Sequence, residues 1–350
     1  MSIQEQQTTQ QQTESAENYW QYVVRQFKKN VFAVGSVYIV VALGLIAIFA
    51  DFLANDKPIV ASYKGTIIFP ILKEYLVDLG LARWEKDFVL ANWKELPYDW
   101  SIFPPVPYHP NTPDKTLFSL KDRAPSSKHW LGTDDIGRDV LAGLIHGSRY
   151  ALSIGFVAMG IALAIGILLG ALAGFYGGWV DIVISRLIEL FMTLPTFFLI
   201  ITVVAMVQEG SLWLVMALIG LTGWTSIARF TRGEVLRVRN LDFVTAATAL
   251  GYSPARIIFR HVLPNALAPV LVTAAFGIAS AVLIESALSF LGFGVPPTVV
   301  TWGSLLSRSR VNISAWWLAV FPGLMIFITV AAYNLIGDAL RDATDPRLRT

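Results

Sequence analysis

The chain has 350 residues, 55% apolar and only 15% charged, with a formal net charge of +2. Soluble domains carry about a quarter charged residues. The deficit, with a mean hydropathy of +0.56, argues against disorder, a coiled coil and nucleic-acid binding and leaves a membrane protein. The absence of cysteine rules out disulfides, thiolate metal sites and a cysteine nucleophile.

Residues 1–19 are mostly Gln, Thr, Ser and Glu and read as a disordered cytoplasmic tail with nothing to pack. Across 20–30, Trp20, Val23, Val24 and Phe27 share one helical face, with Arg25, Lys28 and Lys29 off it. That pattern fits a helix lying in the headgroup layer, or a simple continuation of the first span. A span needs roughly 20 residues with few or no charges. The windows 31–50, 150–180, 190–208, 211–228, 262–284 and 311–337 are free of charge. They predict an all-α membrane protein with six transmembrane helices. The window 286–307 is also charge-free, but Gly292, Gly294, Pro296, Pro297 and Gly303 make it a loop or re-entrant segment. Between spans three and four, Glu209 and Gly210 form a break.

Lys and Arg in short loops set the orientation. Arg25, Lys28 and Lys29 precede the first span, Arg229, Arg232, Arg237, Arg239, Arg256 and Arg260 lie between spans four and five, and Arg341, Arg347 and Arg349 follow the last. With an even number of spans all three groups fall on one side, so both termini are expected in the cytoplasm. Arg308 and Arg310 dissent. The first span is too long for a signal peptide's apolar region and is expected to stay uncleaved. The segment 51–149 is then an enlarged extracytoplasmic loop. Its Trp84, Trp93, Trp100 and Trp130 suggest a small folded cap, residues 103–113 read as extended, and 73–90 as one or two short helices.

Within the spans, Gly166, Gly170 and Gly174 repeat every fourth residue, a small-residue stripe for close helix packing whose partner helix is not readable. Pro195 should kink span three. Arg186 and Glu189 are spaced to pair on one helical face. The residues of a reaction centre do not stand out. No Gly-Lys dipeptide occurs, hence no phosphate-binding loop of that type, and neither HExxH nor GxSxG is present. The four histidines lack metal-ligand spacing, so no metal site is expected. Mid-membrane carboxylates of an ion-coupled pump are missing. Glu285 reads as an interfacial residue held by loop contacts, or as a gate.

The segment 242–264 carries the most information. Phe243, Ala246, Ala247 and Leu250 line one face of a short helix, Asp242 is placed to cap it, and Gly251 suits its left-handed stop. Ser253-Pro254 restarts a second helix, and Leu263-Pro264 leads into span five. The apolar face is expected to dock on another protein, or to lie on lipid.

This segment resembles the EAA loop of ABC-transporter permeases. Ala246 and Ala247 match its alanines, Gly251 its glycine, Ile257 its isoleucine and Leu263-Pro264 its end, while Thr245 stands where the family has glutamate. Residues 131–141 (LGTDDIGRDVL), 174–181 (GFYGGWVD), 287–294 (ALSFLGFG) and 334–348 (NLIGDALRDATDPRL) are similar to segments of the C-type membrane subunits of dipeptide and oligopeptide ABC importers, in the same order. The resemblance implies a type I importer permease in a bacterial inner membrane, with a core of 150–350, a coupling loop of 229–261 and a cytoplasmic tail of 338–350. It implies a second, B-type permease, two ATPase subunits that bind ATP and Mg, an extracytoplasmic substrate-binding protein and a peptide substrate. This chain itself would be non-catalytic, without a cofactor. Nickel, opines or another small solute are the alternatives within the family; a stand-alone channel or secondary transporter is the alternative outside it. Thr245, Ala246, Ala247, Gly251, Arg256, Ile257 and Pro264 are the expected coupling residues. Asp134, Gly137 and Arg138 belong to the outer mouth or to architecture.

Overall fold

The computed structural model describes residues 19–89, 91–113, 123–207, 211–296 and 298–344. Residues 1–18 of the expected tail, the Glu209-Gly210 break, Pro297 and the last four residues of the C-terminal signature, 345–348, therefore lie outside the described residues. Helix α1 (Tyr19–Lys29) packs on the last and first long helices, with Val23 buried. It is separate from α2 (Val31–Ile48), because the Asn30 side chain accepts a hydrogen bond from the Ala33 N–H and starts a new helix.

After a one-turn helix α3 (Ala50–Leu53), the chain builds a cap that is only partly helical. Strands β1 (Val60–Tyr63), β2 (Thr66–Ile68) and, later, β3 (Trp100–Ile102) pair antiparallel in the order β2-β1-β3, a sheet absent from the all-α expectation. Helix α4 (Pro70–Asp78) and a 3-10 turn at Lys86–Phe88 occupy the stretch expected to hold short helices. Phe88 and Trp93 stack at 5.1 Å, Trp84 meets Trp93 edge-on at 5.2 Å, and the Lys57 ammonium sits over both indoles. Trp100 and Trp130 remain outside this cluster, largely exposed.

Helix α5 (Val140–Tyr176) begins ten residues before the charge-free window, capped by Asp139, whose Oδ1 accepts from the Ala142 N–H at 2.7 Å. Its 37 residues span about 55 Å at 1.5 Å each, well beyond a bilayer core. Next come α6 (Gly178–Thr193) and α7 (Thr196–Met206), meeting at 78° around Leu194-Pro195. Proline's missing N–H and fixed φ break the helix there. Arg186 and Glu189 pair at 2.5 Å on α6.

Helix α8 (Leu212–Arg239) runs eleven residues past its expected end, so Arg229, Arg232, Arg237 and Arg239 are helical rather than in a loop. It forms the most extensive helix pair with α5. The glycine stripe faces α8 of the same chain. A Cβ on Gly166 would lie 2.9 Å from the Trp224 carbonyl oxygen, on Gly170 2.4 Å from that of Ala228, and on Gly174 2.8 Å from that of Arg232. Arg239 closes the pair by donating to the Phe175 carbonyl at 2.6 Å.

The chain continues through α9 (Asp242–Ala249), α10 (Pro254–Ile257), a π-helical turn (Ile258–Val262) and α11 (Leu263–Leu291). Helix α11 carries on through Ser286–Leu291, which the sequence reading placed in the loop. Helix α12 (Trp302–Arg308) has a Thr301/Ser304 capping box. Helix α13 (Trp317–Thr344) starts six residues later than expected and absorbs the described part of the expected tail, Asp338 to Thr344. Among the described residues, five helices are long and apolar enough to cross a membrane, or six if the bent α6–α7 pair is one span.

Candidate functional site

Two features stand out: an elbow at α9–α10 and a cavity between the long helices. In the elbow, helix α9 starts one residue earlier than the capping argument required. Leu241 is the N-cap and Asp242 the first helical residue, with no side-chain cap. Its other end follows the expectation. Gly251 has φ +76°, its N–H reaches the Thr248 carbonyl, and the Tyr252 N–H reaches that of Ala247. This is a Schellman stop, which needs a left-handed residue. Ser253 then caps α10 by accepting from the Arg256 N–H, with Pro254 in the first turn.

Val244 and Ala247 turn inward and, with Ile257, Ile258, Val262 and Val238, form a small apolar core. Phe243 (41% exposed) and Leu250 (72%) point away from it, as do Thr245 and Ala246. The four residues assigned to one apolar face therefore split, Ala247 packing inside and the other three outside. Arg256 is exposed over the Tyr252 ring at 4.4 Å, and Pro264 is exposed. Ile257 is 2% exposed, so it holds the elbow together and offers no contact. The second short helix is not free-standing. It passes through the π turn into α11, so Pro254 to Leu291 is one 38-residue helical rod.

The cavity, of about 850 Å³, opens between α5, α6, α8 and α11. Met159, Phe191 and Phe276 supply apolar walls. Two matching stripes face it: Thr222, Ser226, Arg229 and Gly233 on α8, and Thr273, Gly277, Ser280 and Ile284 on α11. Both are spaced four, three and four residues apart, the repeat of one helical face. That spacing of small and polar residues inside apolar runs was the signal by which sequence reading could have found them. Arg229 and Glu234 mark the end of the cavity nearer the elbow.

The residues assigned to an outer mouth do not line this cavity. Asp134 is fully buried; its carboxylate accepts from the Ile136 and Arg138 N–H groups and from Arg138 Nε at 2.8 Å, with Arg308 Nε 3.4 Å away. Gly137, at φ +86°, closes the turn. Arg308 also pairs with Asp135, and the Trp317 indole donates to the Thr133 carbonyl. Segment 131–141 thereby fastens α12 and α13 to the start of α5. Glu285 is also buried, accepting from the Ser289 hydroxyl at 2.7 Å beside the α11–α12 contact, where a Cβ on Gly303 would lie 2.6 Å from the Ser286 carbonyl. Beyond the spans, burial alone would raise the Asp51 carboxyl. The Tyr75 hydroxyl and the Arg149 guanidinium outweigh it and hold that group below the usual carboxylate range.

The family described as binding-protein-dependent transport system inner membrane component matches residues 166–350. The chain belongs to that family. Residues 18–65 of this permease also match the N-terminal transmembrane domain of oligopeptide transport permease C. The dipeptide transport system permease protein DppC of Alkalihalophilus pseudofirmus is 42% identical over 65% of this chain and 75% of its own. The inner membrane ABC transporter permease protein YejE of Escherichia coli is 35% identical over 91% and 95%. The peptidoglycan transport system permease protein YejE of Agrobacterium fabrum is 30% identical over 92% and 91%. Matches of that extent necessarily include most of the 51–149 cap. The chain is thus a multi-pass membrane permease subunit of a binding-protein-dependent importer.

Proposed function

We propose that this chain forms half of the pore of an ATP-driven peptide importer, pairing with a B-type permease, and that the outward face of α9 docks into an ATPase subunit. Two such ATPase subunits bind ATP and Mg and perform the hydrolysis; this chain holds no cofactor and catalyses nothing. A substrate-binding protein delivers peptide from outside. Both termini and the elbow lie in the cytoplasm of a bacterium, with the chain in its inner membrane. The observation that carries the reading is the elbow itself: Phe243, Ala246 and Leu250 present apolar surface on a helix seated against one continuous 38-residue helical rod. A push on α9 therefore moves α11, and α11 walls the cavity. The stripes on α8 and α11 are this chain's side of the pathway, and Thr245 replaces an acidic contact with a neutral one.

Two aspartates, Phe243→Asp with Leu250→Asp, test this in the complete complex reconstituted in vesicles. Losing central apolar contacts costs about 2 kcal/mol or more, so ATPase association and peptide uptake should fall at least about tenfold. The fold should persist, because both side chains are exposed. Unchanged uptake contradicts the docking assignment. A sugar-bearing peptide is a second candidate substrate, favoured by the relative named for peptidoglycan transport that matches through the cap.

A further inference from the structure

Helix α4 of the cap has a face that nothing among the described residues covers. Phe69, just before the helix, then Leu72, Leu76 and Leu79 within and after it, lie on one arc of about 120° with Tyr75 at its edge. Gly80 ends the helix and presents Leu81 beside them. The four aliphatic or Phe side chains of the arc and Leu81 are between 46% and 74% exposed. The opposite side of α4 holds the buried Pro70 and Ile71 and the polar residues Glu74 and Asp78. Glu74 is paired with Lys57, and Lys73, at the margin of the arc, is paired with Glu85. The charges are thus paired or turned away from the apolar arc, as in helices that lie in a membrane interface.

The position of α4 selects the occupant. The Tyr75 hydroxyl donates to the Asp51 carboxylate, and Asp51 is three residues beyond Ile48, the last residue of the membrane-spanning α2. Arg149 Nη2 holds the same carboxylate at 2.9 Å from α5. The helix is therefore tethered by one tyrosine side chain to the rim of the membrane-spanning bundle. The neighbouring surface of α2, through Leu45, Ile48 and Phe49, is itself exposed and apolar. Through Tyr75 the apolar arc of α4 is bonded to the residue three positions past the end of α2, and a tyrosine at its margin suits the headgroup level.

We propose that α4 and the Leu79-Gly80-Leu81 turn form a foot that rests in the outer leaflet of the bilayer and fixes the height of the cap. The proposal rests on α2 spanning the membrane in the orientation proposed above and not on how the elbow couples. The absence of cysteine makes the test direct. Leu72→Cys, Leu76→Cys, Leu79→Cys and, on the polar side, Asp78→Cys are labelled singly with a nitroxide. Each is reconstituted with its partner subunits in vesicles of phosphatidylethanolamine and phosphatidylglycerol, and uptake certifies assembly. The ratio of oxygen to nickel-chelate collision rates should be several-fold higher at the three leucine positions than at Asp78. Equal ratios would mean the foot stands in water and overturn the proposal. Low collision rates with both reagents at the leucine positions would mean a protein partner covers the face, and overturn it equally.

Discussion

At the end of the bundle away from the elbow, the start of α5 is fastened by groups that satisfy one another. Asp134 is shared by Arg138, Arg308 and two backbone N–H groups, while the Trp302 and Trp317 indoles donate to the Leu144 and Thr133 carbonyls. At the elbow end, the exposed side of α9 has no such partners among the described residues. Its inward side is held by a small apolar core, its termini by backbone hydrogen bonds, and Phe243 and Leu250 face outward. The difference separates a part whose polar groups are satisfied within this chain from a part that, on the proposed reading, another chain covers. On the proposed reading, the fastened end is a fixed reference for the long helices and the exposed elbow is the handle that moves them.

The largest effect should come from the end away from the elbow. Asp134→Ala leaves the buried Arg138 guanidinium without its carboxylate, and breaking a buried pair costs about 3–5 kcal/mol. Thermal unfolding in detergent should fall sharply, and with it the yield of assembled complex. A stability close to that of the parent would mean this knot is not a unit. Gly251→Val should act at the elbow with the opposite profile. No atom lies within 4 Å of an added Cβ there, so the strain is the left-handed backbone alone, about 1–2 kcal/mol. Unfolding should shift slightly while ATP hydrolysis continues and uptake drops. Normal transport in that variant would remove the elbow from the coupling path. Thr245→Glu should do least. The residue is exposed in the first half of a short helix, where a carboxylate gains about 0.3–1 kcal/mol from the helix dipole. Stability should rise marginally, and any change in uptake reports on the ATPase contact.

The contrast also explains what the sequence disclosed. Glycines repeating every fourth residue on α5 announced a close crossing, but a stripe of small residues carries no label for its partner, and only packing assigned it to α8. Charge-free windows located lipid rather than helix ends, so α8 and α13 outran them: arginines are good helix formers once clear of the hydrocarbon. Pro195 broke span three because proline's constraint is local. The Gly251 stop and the Ser253-Pro254 restart were legible for the same reason, whereas the cap of α9 moved by one residue to Leu241. The cap sheet was hidden, since its strands are three or four residues long and β3 pairs with β1 across some forty residues. Glu285 read as an interfacial residue or a gate and Asp134 as outer mouth or architecture, because a lone charge in a sequence does not name its partners; here both are buried against groups that hydrogen-bond them. The cavity stripes were written in the spacing of Thr222, Ser226 and Arg229, yet small hydroxyl residues are common in helix contacts and do not by themselves mark a path.

The central claim is that the outward face of α9 is covered by an ATPase subunit. A single cysteine at Ala246, exposed and without competition from native thiols, measures this directly through its rate of reaction with a water-soluble maleimide. In the permease pair alone Ala246→Cys should react at the rate of a solvated thiol, and addition of the ATPase subunits should slow it by an order of magnitude or more. An unchanged rate in a complex that still hydrolyses ATP and transports would contradict the account.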